Sequence, residues 1–170
     1  DDLFDNTPET ATVIDTGNYY PAVRDGRLEE IDAGEVESVW VSRRIGRPVV
    51  KVFNSIGAKS LAVKPRPEDA DDRICLPVSG DGAEDKKKVM DLLNQIGFDA
   101  FDVGPLKESW RQQPGTPCYL HDFDALMLEA AIAAANPLRI DSYREQADEF
   151  AAQLIAVFGG RRAAGASQKS

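Results

Sequence analysis

Cysteine, histidine and long apolar runs are scarce in this sequence. The two cysteines, Cys75 and Cys118, lie far apart and belong to no CxxC or Cys/His group. This pattern disfavours a disulfide scaffold or a zinc site and favours a reduced, cytoplasmic setting. The only histidine, His121, has no glycine-flanked serine with which to form a histidine-based triad. No segment approaches the roughly 20 apolar residues needed to cross a bilayer, so no membrane association is predicted.

Positive charge is also in short supply. The 170 residues include 20 lysines and arginines against 29 aspartates and glutamates, which gives a net charge of −9. Sequence-independent binding of nucleic acid requires a basic face that neutralises phosphates, so this balance argues against nucleic acid as a partner. The acidic stretch at 69–72 lacks the spacing of an EF-hand, and no Walker or zinc motif is present. The sequence therefore predicts no metal site.

What the sequence does contain is an alternation of strands and helices. Short apolar runs predict four strands, at 11–17, 49–53, 74–78 and 98–104. Helices are predicted between them, at 35–45 and 83–96. This order indicates an α/β fold with a parallel sheet. The segments after the last strand are rich in alanine and leucine, so we expect an α/β domain at 1–119, a helical extension at 120–158 and a disordered tail at 159–170.

Polar or glycine-containing turns follow three of the predicted strands, at 15–18, 54–58 and 102–106. Open α/β sheets bind ligands where the loops at the carboxyl ends of their strands diverge, so these turns are candidate binding elements. Asn54 in the second turn offers both a donor and an acceptor. The alternative is that Asn54 and Ser55 only cap the helix that follows. No residue of these turns is singled out as catalytic.

The loop at 111–119, RQQPGTPCY, has a second pair of interpretations. Pro114 and Gly115 fit the central positions of a type II turn. The loop either presents Arg111, Gln112 and Gln113 to a ligand, or it clasps the sheet to the helical extension. The sequence leaves both interpretations open.

Several stretches together resemble one protein family. They are TVIDTGNYYP, VVKVFNSIGAKSL, LPVSGDGAEDKKKVMDLLNQIGFDAFDVGPLKES and RQQPGTPCY. In order and spacing over about residues 11–119 they resemble the F420-dependent NADP reductase-like dinucleotide-binding proteins, whose relatives include the reductase domains of the STEAP metalloreductases. The resemblance implies a Rossmann-like fold that uses NADP as its cofactor. It also implies hydride transfer to a deazaflavin, a flavin or another small-molecule acceptor.

The same resemblance implies which residues form the site. The carbonyl of Ile56 and the amide of Ala58 would hold the nicotinamide carboxamide. The other implied cofactor-binding residues are Asn18, Pro21, Asn54 and Ser55. The residues implied to line the acceptor side are Gly104, Pro105, Leu106 and Ser109. Asn54 stands where F420 reductases can carry a histidine, which is a departure from the pattern expected for F420 as acceptor.

The family's GxGxxG turn, which holds the pyrophosphate of the dinucleotide, is absent from this sequence. The chain begins DDLF without an initiator methionine, as though it starts inside a longer sequence. We expect either a fragment of a longer protein or a protein whose first half was lost, in both cases with a partial Rossmann-like sheet and impaired cofactor binding. The first hypothesis is an NADP-dependent oxidoreductase. The alternatives are a non-enzymatic binding or assembly module and a stand-alone enzyme with a different small substrate. A homodimer is also predicted, because a half-sheet exposes an edge and the apolar helices need partners.

Overall fold

Strands and helices alternate through most of the chain. The computed structural model describes residue 4 and residues 6–166, with side chains described through residue 157. The strands are β1 (Ile14–Asp15), β2 (Val50–Lys51), β3 (Cys75–Ser79) and β4 (Asp99–Gly104). The α-helices are α1 (Glu29–Asp32), α2 (Glu37–Ile45), α3 (Ala58–Val63), α4 (Ala83–Gln95), α5 (Ala125–Ala134) and α6 (Ile140–Ala166). The predicted α/β fold with helices at its carboxyl-terminal end is confirmed.

The four strands form one sheet in the order β1-β2-β3-β4. β1 is parallel to β2, and β3 is parallel to β4. The middle pair departs from the predicted parallel arrangement, because β2 and β3 pair antiparallel through Lys51 and Ser79. A parallel pair needs a crossover helix that packs back over the sheet, and the β2–β3 connection contains only the six-residue α3. As a result, β1 and β2 run toward the edge of the sheet at which β3 and β4 begin.

Helices cover both faces of this sheet. On one face, α4 places Val89 and Leu93 in a core with Val78 of β3. On the other face, α5 places Leu128 in a second core with Cys75. Every residue of β3 is buried, as expected for a strand that is covered on both sides. α5 thus packs directly on the sheet. The predicted division of the chain at residue 119 stays a prediction.

The last helix, α6, begins at Ile140 and continues to Ala166. It therefore enters the range 159–170 in which a disordered tail is predicted. Residues 167–170 lie outside the described residues, and the tail stays a prediction. Within the part of the chain that the structure describes, no helix is both long and apolar enough to cross a membrane.

Candidate functional site

The turns after β1 and β2 meet, as the sequence predicts for the ends of neighbouring parallel strands. Asn18 Nδ2 donates to the carbonyl of Asn54 at 2.9 Å, and Asn54 Nδ2 donates back to Asn18 Oδ1 at 3.1 Å. Asn54 is only 4% exposed. It does not cap α3, whose N-cap is Gly57 without a side-chain hydrogen bond. The two asparagines instead fix the two turns to each other.

Gln112, on the 3-10 helix at Leu106–Gln112, completes this network. Its Nε2 donates to Asn54 Oδ1 at 3.0 Å, and Asn54 Nδ2 donates to the carbonyl of Gln112 at 2.7 Å. Ser79 Oγ, at the end of β3, donates to Gln112 Oε1 at 2.8 Å. The buried network thus ties β1, β2 and β3 to one helix. Gln112 is therefore engaged in contacts within the protein, which favours the interpretation of the 111–119 loop as a structural connection over its interpretation as a ligand-binding loop.

Backbone strain is concentrated at this junction. Phe53 and Leu120 have positive φ angles of 65° and 59°, in the left-handed region that side chains with a β-carbon avoid. The amide of Leu120 donates to the carbonyl of Ser55 at 2.7 Å. One strained residue therefore contacts the turn that the other, Phe53, begins. Strain of this kind persists only where the surroundings enforce it, and it is concentrated at functional sites.

An apolar hollow of about 630 Å³ opens beside the strained turn. Its lining combines residues that follow β1 and β2 with side chains from α3, from the loop after α3 and from the connection between α4 and β4. The lining residues are Thr16, Phe53, Ile56, Ala58, Leu61, Pro65, Ile96 and Phe98. Two predicted cofactor-binding residues, Ile56 and Ala58, are therefore in the lining, whereas the other four, Asn18, Pro21, Asn54 and Ser55, are not.

The predicted acceptor-side residues lie elsewhere. Gly104 ends β4 at the opposite edge of the sheet, where its carbonyl accepts the amide of Gly80 at 3.1 Å. Leu106 and Ser109 are buried, and Pro105 is exposed just before the 3-10 helix. None of the predicted set is in the lining of the hollow among the described residues. The antiparallel β2–β3 pair is the physical reason. The chain that follows β2 continues toward the edge at which β4 begins, whereas Gly104 lies at the edge at which β4 ends.

Pro21, the remaining predicted residue, starts a short helical turn that faces α6. It lines a polar cleft with Arg144 and Asp148. The preceding Tyr20 forms a hydroxyl–hydroxyl hydrogen bond with Tyr119, which also accepts Asn18 Nδ2 at 3.3 Å. Burial raises the pKa of Tyr20, so its hydroxyl stays protonated and serves as a hydrogen-bonding group.

A second cavity, of about 210 Å³, lies next to Asn18 and contains a buried ion pair that the sequence analysis missed. Lys51 Nζ donates to Asp15 Oδ2 at 3.1 Å and to the carbonyl of Gly17 at 2.6 Å. Ser38 Oγ donates to the same Asp15 oxygen at 2.7 Å. Lys51 is 1% exposed. The signal for this site is a lysine inside the apolar run VVKVF and an aspartate that ends the run ATVID.

Glu37, at the start of α2, lines the same cavity. Its Oε2 accepts the amide of Tyr19 at 3.2 Å. Burial raises the pKa of Glu37 to about 7, and the positive charges of Lys51 and Arg144 oppose this rise. No group of three or more metal-binding side chains occurs among the described residues.

Comparisons with known proteins give partial matches. No protein-family model matches the chain. The protein YjhV of Escherichia coli (strain K12) is 39% identical over 70 residues, which are 41% of this chain and 51% of that protein. A hypothetical protein of Sinorhizobium meliloti superposes with a TM-score of 0.54 at 28% identity, over 66% of this chain and 54% of that one. A candidate F420-dependent NADP reductase of Arthrobacter sp. FB24 is 30% identical over 40% of this chain and 31% of its own, with a TM-score of 0.34.

These matches bear on the fold more than on the activity. The chain spans about half the length of the E. coli and S. meliloti proteins that it resembles. The S. meliloti match shows a fold shared over two thirds of this chain. The TM-score of the Arthrobacter protein is too low to show a shared fold. NADP, the acceptor and a cytoplasmic location therefore stay predictions.

Proposed function

We propose that this chain supplies the nicotinamide-binding side of an NADP-dependent oxidoreductase that transfers hydride to a small-molecule, flavin or deazaflavin acceptor. The observation that carries the proposal is the hollow beside the ends of β1 and β2, with Ile56 and Ala58 in its lining. Ligands of open α/β sheets bind at such an edge. The resemblance of residues 49–61 assigns the same two residues to the nicotinamide carboxamide.

The size and lining of the hollow suit a planar ring. Its volume of about 630 Å³ falls within the roughly 300–1,000 Å³ of small-molecule sites. Phe53 and Phe98 contribute aromatic surface, and Thr16 contributes a hydroxyl. Hydride transfer between two rings needs a protein mainly to position them and to exclude water. An apolar hollow behind a rigid, hydrogen-bonded turn can do both.

Under this proposal another segment must hold the pyrophosphate of the cofactor. The sequence contains no GxGxxG, and the turn at 80–82 is followed by Glu84 and Asp85, which repel phosphate. We therefore expect this chain to bind NADPH weakly and mainly through the nicotinamide end.

Replacing Ala58 with proline tests the proposed contact. Ala58→Pro removes the amide proton, while proline is favoured at the first position of a helix and Gly57 has the extended backbone (φ −68°, ψ 138°) that a following proline requires. The affinity for NADPH, measured by fluorescence titration, should fall about tenfold, the equivalent of one hydrogen bond. The control Ala58→Gly keeps the amide and should keep the affinity. Equal affinities for the two variants would contradict the proposed contact.

The second candidate function is a non-enzymatic binding or assembly module. It is favoured by the absence of any titratable side chain from the lining of the hollow among the described residues. A wild-type chain that shows neither a fluorescence change nor a thermal shift with NADPH, NADP or nicotinamide mononucleotide would support this module over the oxidoreductase. Free cofactor at a concentration of 100 times its dissociation constant should stabilise the fold by about 2.7 kcal/mol, so a thermal shift is a sensitive measurement.

A further inference from the structure

The cavity beside Lys51 has an apolar body and a polar end. Leu28, Ile31 and Val41 contribute its aliphatic side, and Glu37 and Trp40 lie in its lining with the Asp15–Lys51 pair. A volume of about 210 Å³ corresponds to about seven water molecules at roughly 30 Å³ each. The space suits a small organic molecule better than a nucleotide.

Two buried polar atoms of this lining have no partner among the described residues. They are Oε1 of Glu37, an acceptor when the carboxyl is ionised, and Nε1 of Trp40, a donor. Glu37 is only 4% exposed, and its second oxygen already accepts the Tyr19 amide. An unpaired buried acceptor costs about 1–3 kcal/mol, more when it is charged. A ligand that donates to Glu37 would remove this cost.

Glu37 also lacks a direct charged partner among the described residues. Lys51 already donates to Asp15 and to the carbonyl of Gly17, so its charge is engaged with the Asp15 end. Arg144 acts on Glu37 through its charge, but it donates to the carbonyl of Ile31. Arg24 and Asp25, which also belong to the lining, pair with each other. An ammonium group next to Glu37 would supply the direct partner that neither Lys51 nor Arg144 provides.

From this geometry we infer that the cavity binds a small organic cation, an amine attached to a short apolar body. The ammonium group donates to Glu37 Oε1, and the apolar body packs against Leu28, Ile31 and Val41. The net charge of −9 on the chain favours the approach of a cation. The inference is independent of the proposed hydride transfer, because the hollow at Ile56 and Ala58 is a separate space with a different lining.

Three probes of one size test the charge that the cavity selects: n-butylammonium, n-butanol and n-butyrate. The readout is the indole N–H signal of Trp40 in a nitrogen–proton NMR spectrum. Trp110 is not in this lining and provides an internal control. Butylammonium should shift the Trp40 signal with an affinity at least about tenfold above that of butanol, a difference of about 1.4 kcal/mol. Butyrate should not bind.

Glu37→Gln keeps the shape of the side chain and removes its charge, so it should reduce the affinity for butylammonium at least about tenfold. The matched control is Glu35→Gln, whose side chain pairs with Arg43 outside the cavity and should leave the affinity unchanged. Butanol that binds as tightly as butylammonium, or a Glu37→Gln variant with wild-type affinity, would overturn the inference. A Trp40 signal that no amine moves would overturn it as well.

The pH dependence of the wild-type chain keeps the inference testable if Glu37→Gln does not fold. The affinity for butylammonium should rise between about pH 5 and pH 8, because Glu37 becomes ionised and the amine stays charged. The groups that face Glu37 are Asp15, Lys51, Arg144, Tyr20 and Tyr119. A pH-independent affinity would contradict the role of Glu37.

Discussion

At the scale of single residues, the edge of the sheet is marked by buried charge. Lys51 and Asp15 satisfy each other, and Ser38 and Gly17 add hydrogen bonds to the pair. Desolvation offsets most of the attraction in such a pair, so the intact pair adds little to stability, whereas removing one partner would leave a buried charge without compensation. Glu37 is different, because it forms no ion pair among the described residues and burial raises its pKa to about 7. The residue-level chemistry of this site is therefore set by Glu37.

The raised pKa of Glu37 predicts that the protein loses stability as the pH rises. Between the ordinary pKa of 4.5 and about 7, the folded state binds a proton that the unfolded state has released. The stability associated with the neutral carboxyl is thus complete below about pH 4.5 and lost by about pH 7, a change of about 3 kcal/mol at most. The free energy of unfolding of Glu37→Gln, measured in urea across this pH range, should rise relative to that of the wild type as the pH increases.

Glu35→Gln is the control for this pH series. Arg43 lowers the pKa of Glu35 through a hydrogen bond, so the stability that Glu35 contributes is lost as the pH falls through its folded pKa, the opposite sign. A Glu37→Gln variant whose difference from the wild type does not change with pH would refute the buried, titrating carboxyl.

At the scale of elements, the 3-10 helix and the loop after it connect the sheet to the helical part. The helix begins beyond Gly104 at one edge of the sheet and delivers Gln112 to Asn54 near the other. The loop then passes α6 so closely that a Cβ on Gly115 would lie 2.1 Å from the carbonyl oxygen of Tyr143. Gly115 also has a φ of 80°. Glycine is thus required at position 115 by the backbone conformation and by the lack of space for a Cβ. The contact with Tyr143 holds the loop at 111–119 against α6.

Gly115→Ala should destabilise the fold strongly, and Gly46→Ala is a matched control. Both glycines have a positive φ, 80° and 68°, but Gly46 has a left-handed backbone (ψ 22°) and a Cβ on it meets no atom within 4 Å. The control should lose only the cost of left-handed backbone, about 1–2 kcal/mol. Gly115→Ala should lose at least about 2 kcal/mol more, because its methyl group overlaps backbone. Denaturant unfolding of both variants measures the difference in unfolding free energy. Equal losses would contradict a structural requirement for the close contact between Gly115 and Tyr143.

At the scale of the whole molecule, one stripe of α6 is only partly covered. Tyr143 and Ala147 are buried against the rest of the protein. The same stripe continues with Phe150, Leu154 and Val157, spaced three or four residues apart, and these side chains are 41–54% exposed. An apolar stripe that changes from buried to exposed along one helix favours a partner for its second half. We propose that the partner is a second copy of this chain.

Leu154→Glu should therefore dissociate a dimer. Light scattering of the wild type should give twice the 18.6 kDa of one chain, and the variant should give the mass of one chain. Ala152→Glu adds a charge at an exposed position on the opposite face of α6 and should leave the dimer intact. A wild-type mass of 18.6 kDa at high concentration would contradict the proposed homodimer.

Local patterns account for most of the elements. The run at 74–78 predicts β3, and the apolar spacing of Val89 and Leu93 predicts the inner face of α4, because both depend on neighbours within one or two turns of chain. The polar turns at Asn18 and Asn54 also mark a junction that the structure contains. The partners of these residues could not be predicted in the same way. Gln112 is 58 residues from Asn54, and Lys51 is 36 residues from Asp15.

The sequence by itself determined the α/β alternation, the acidic character and the polar ends of β1 and β2, because periodicity and composition are local or summed properties. Only the tertiary structure decided the antiparallel pairing of β2 with β3, which separates Gly104 from the hollow at Ile56. It also decided the burial of Lys51, Asp15 and Glu37 around one cavity. The physical reason is that strand direction and the solvation of a charge depend on segments that are distant along the chain and adjacent only after folding.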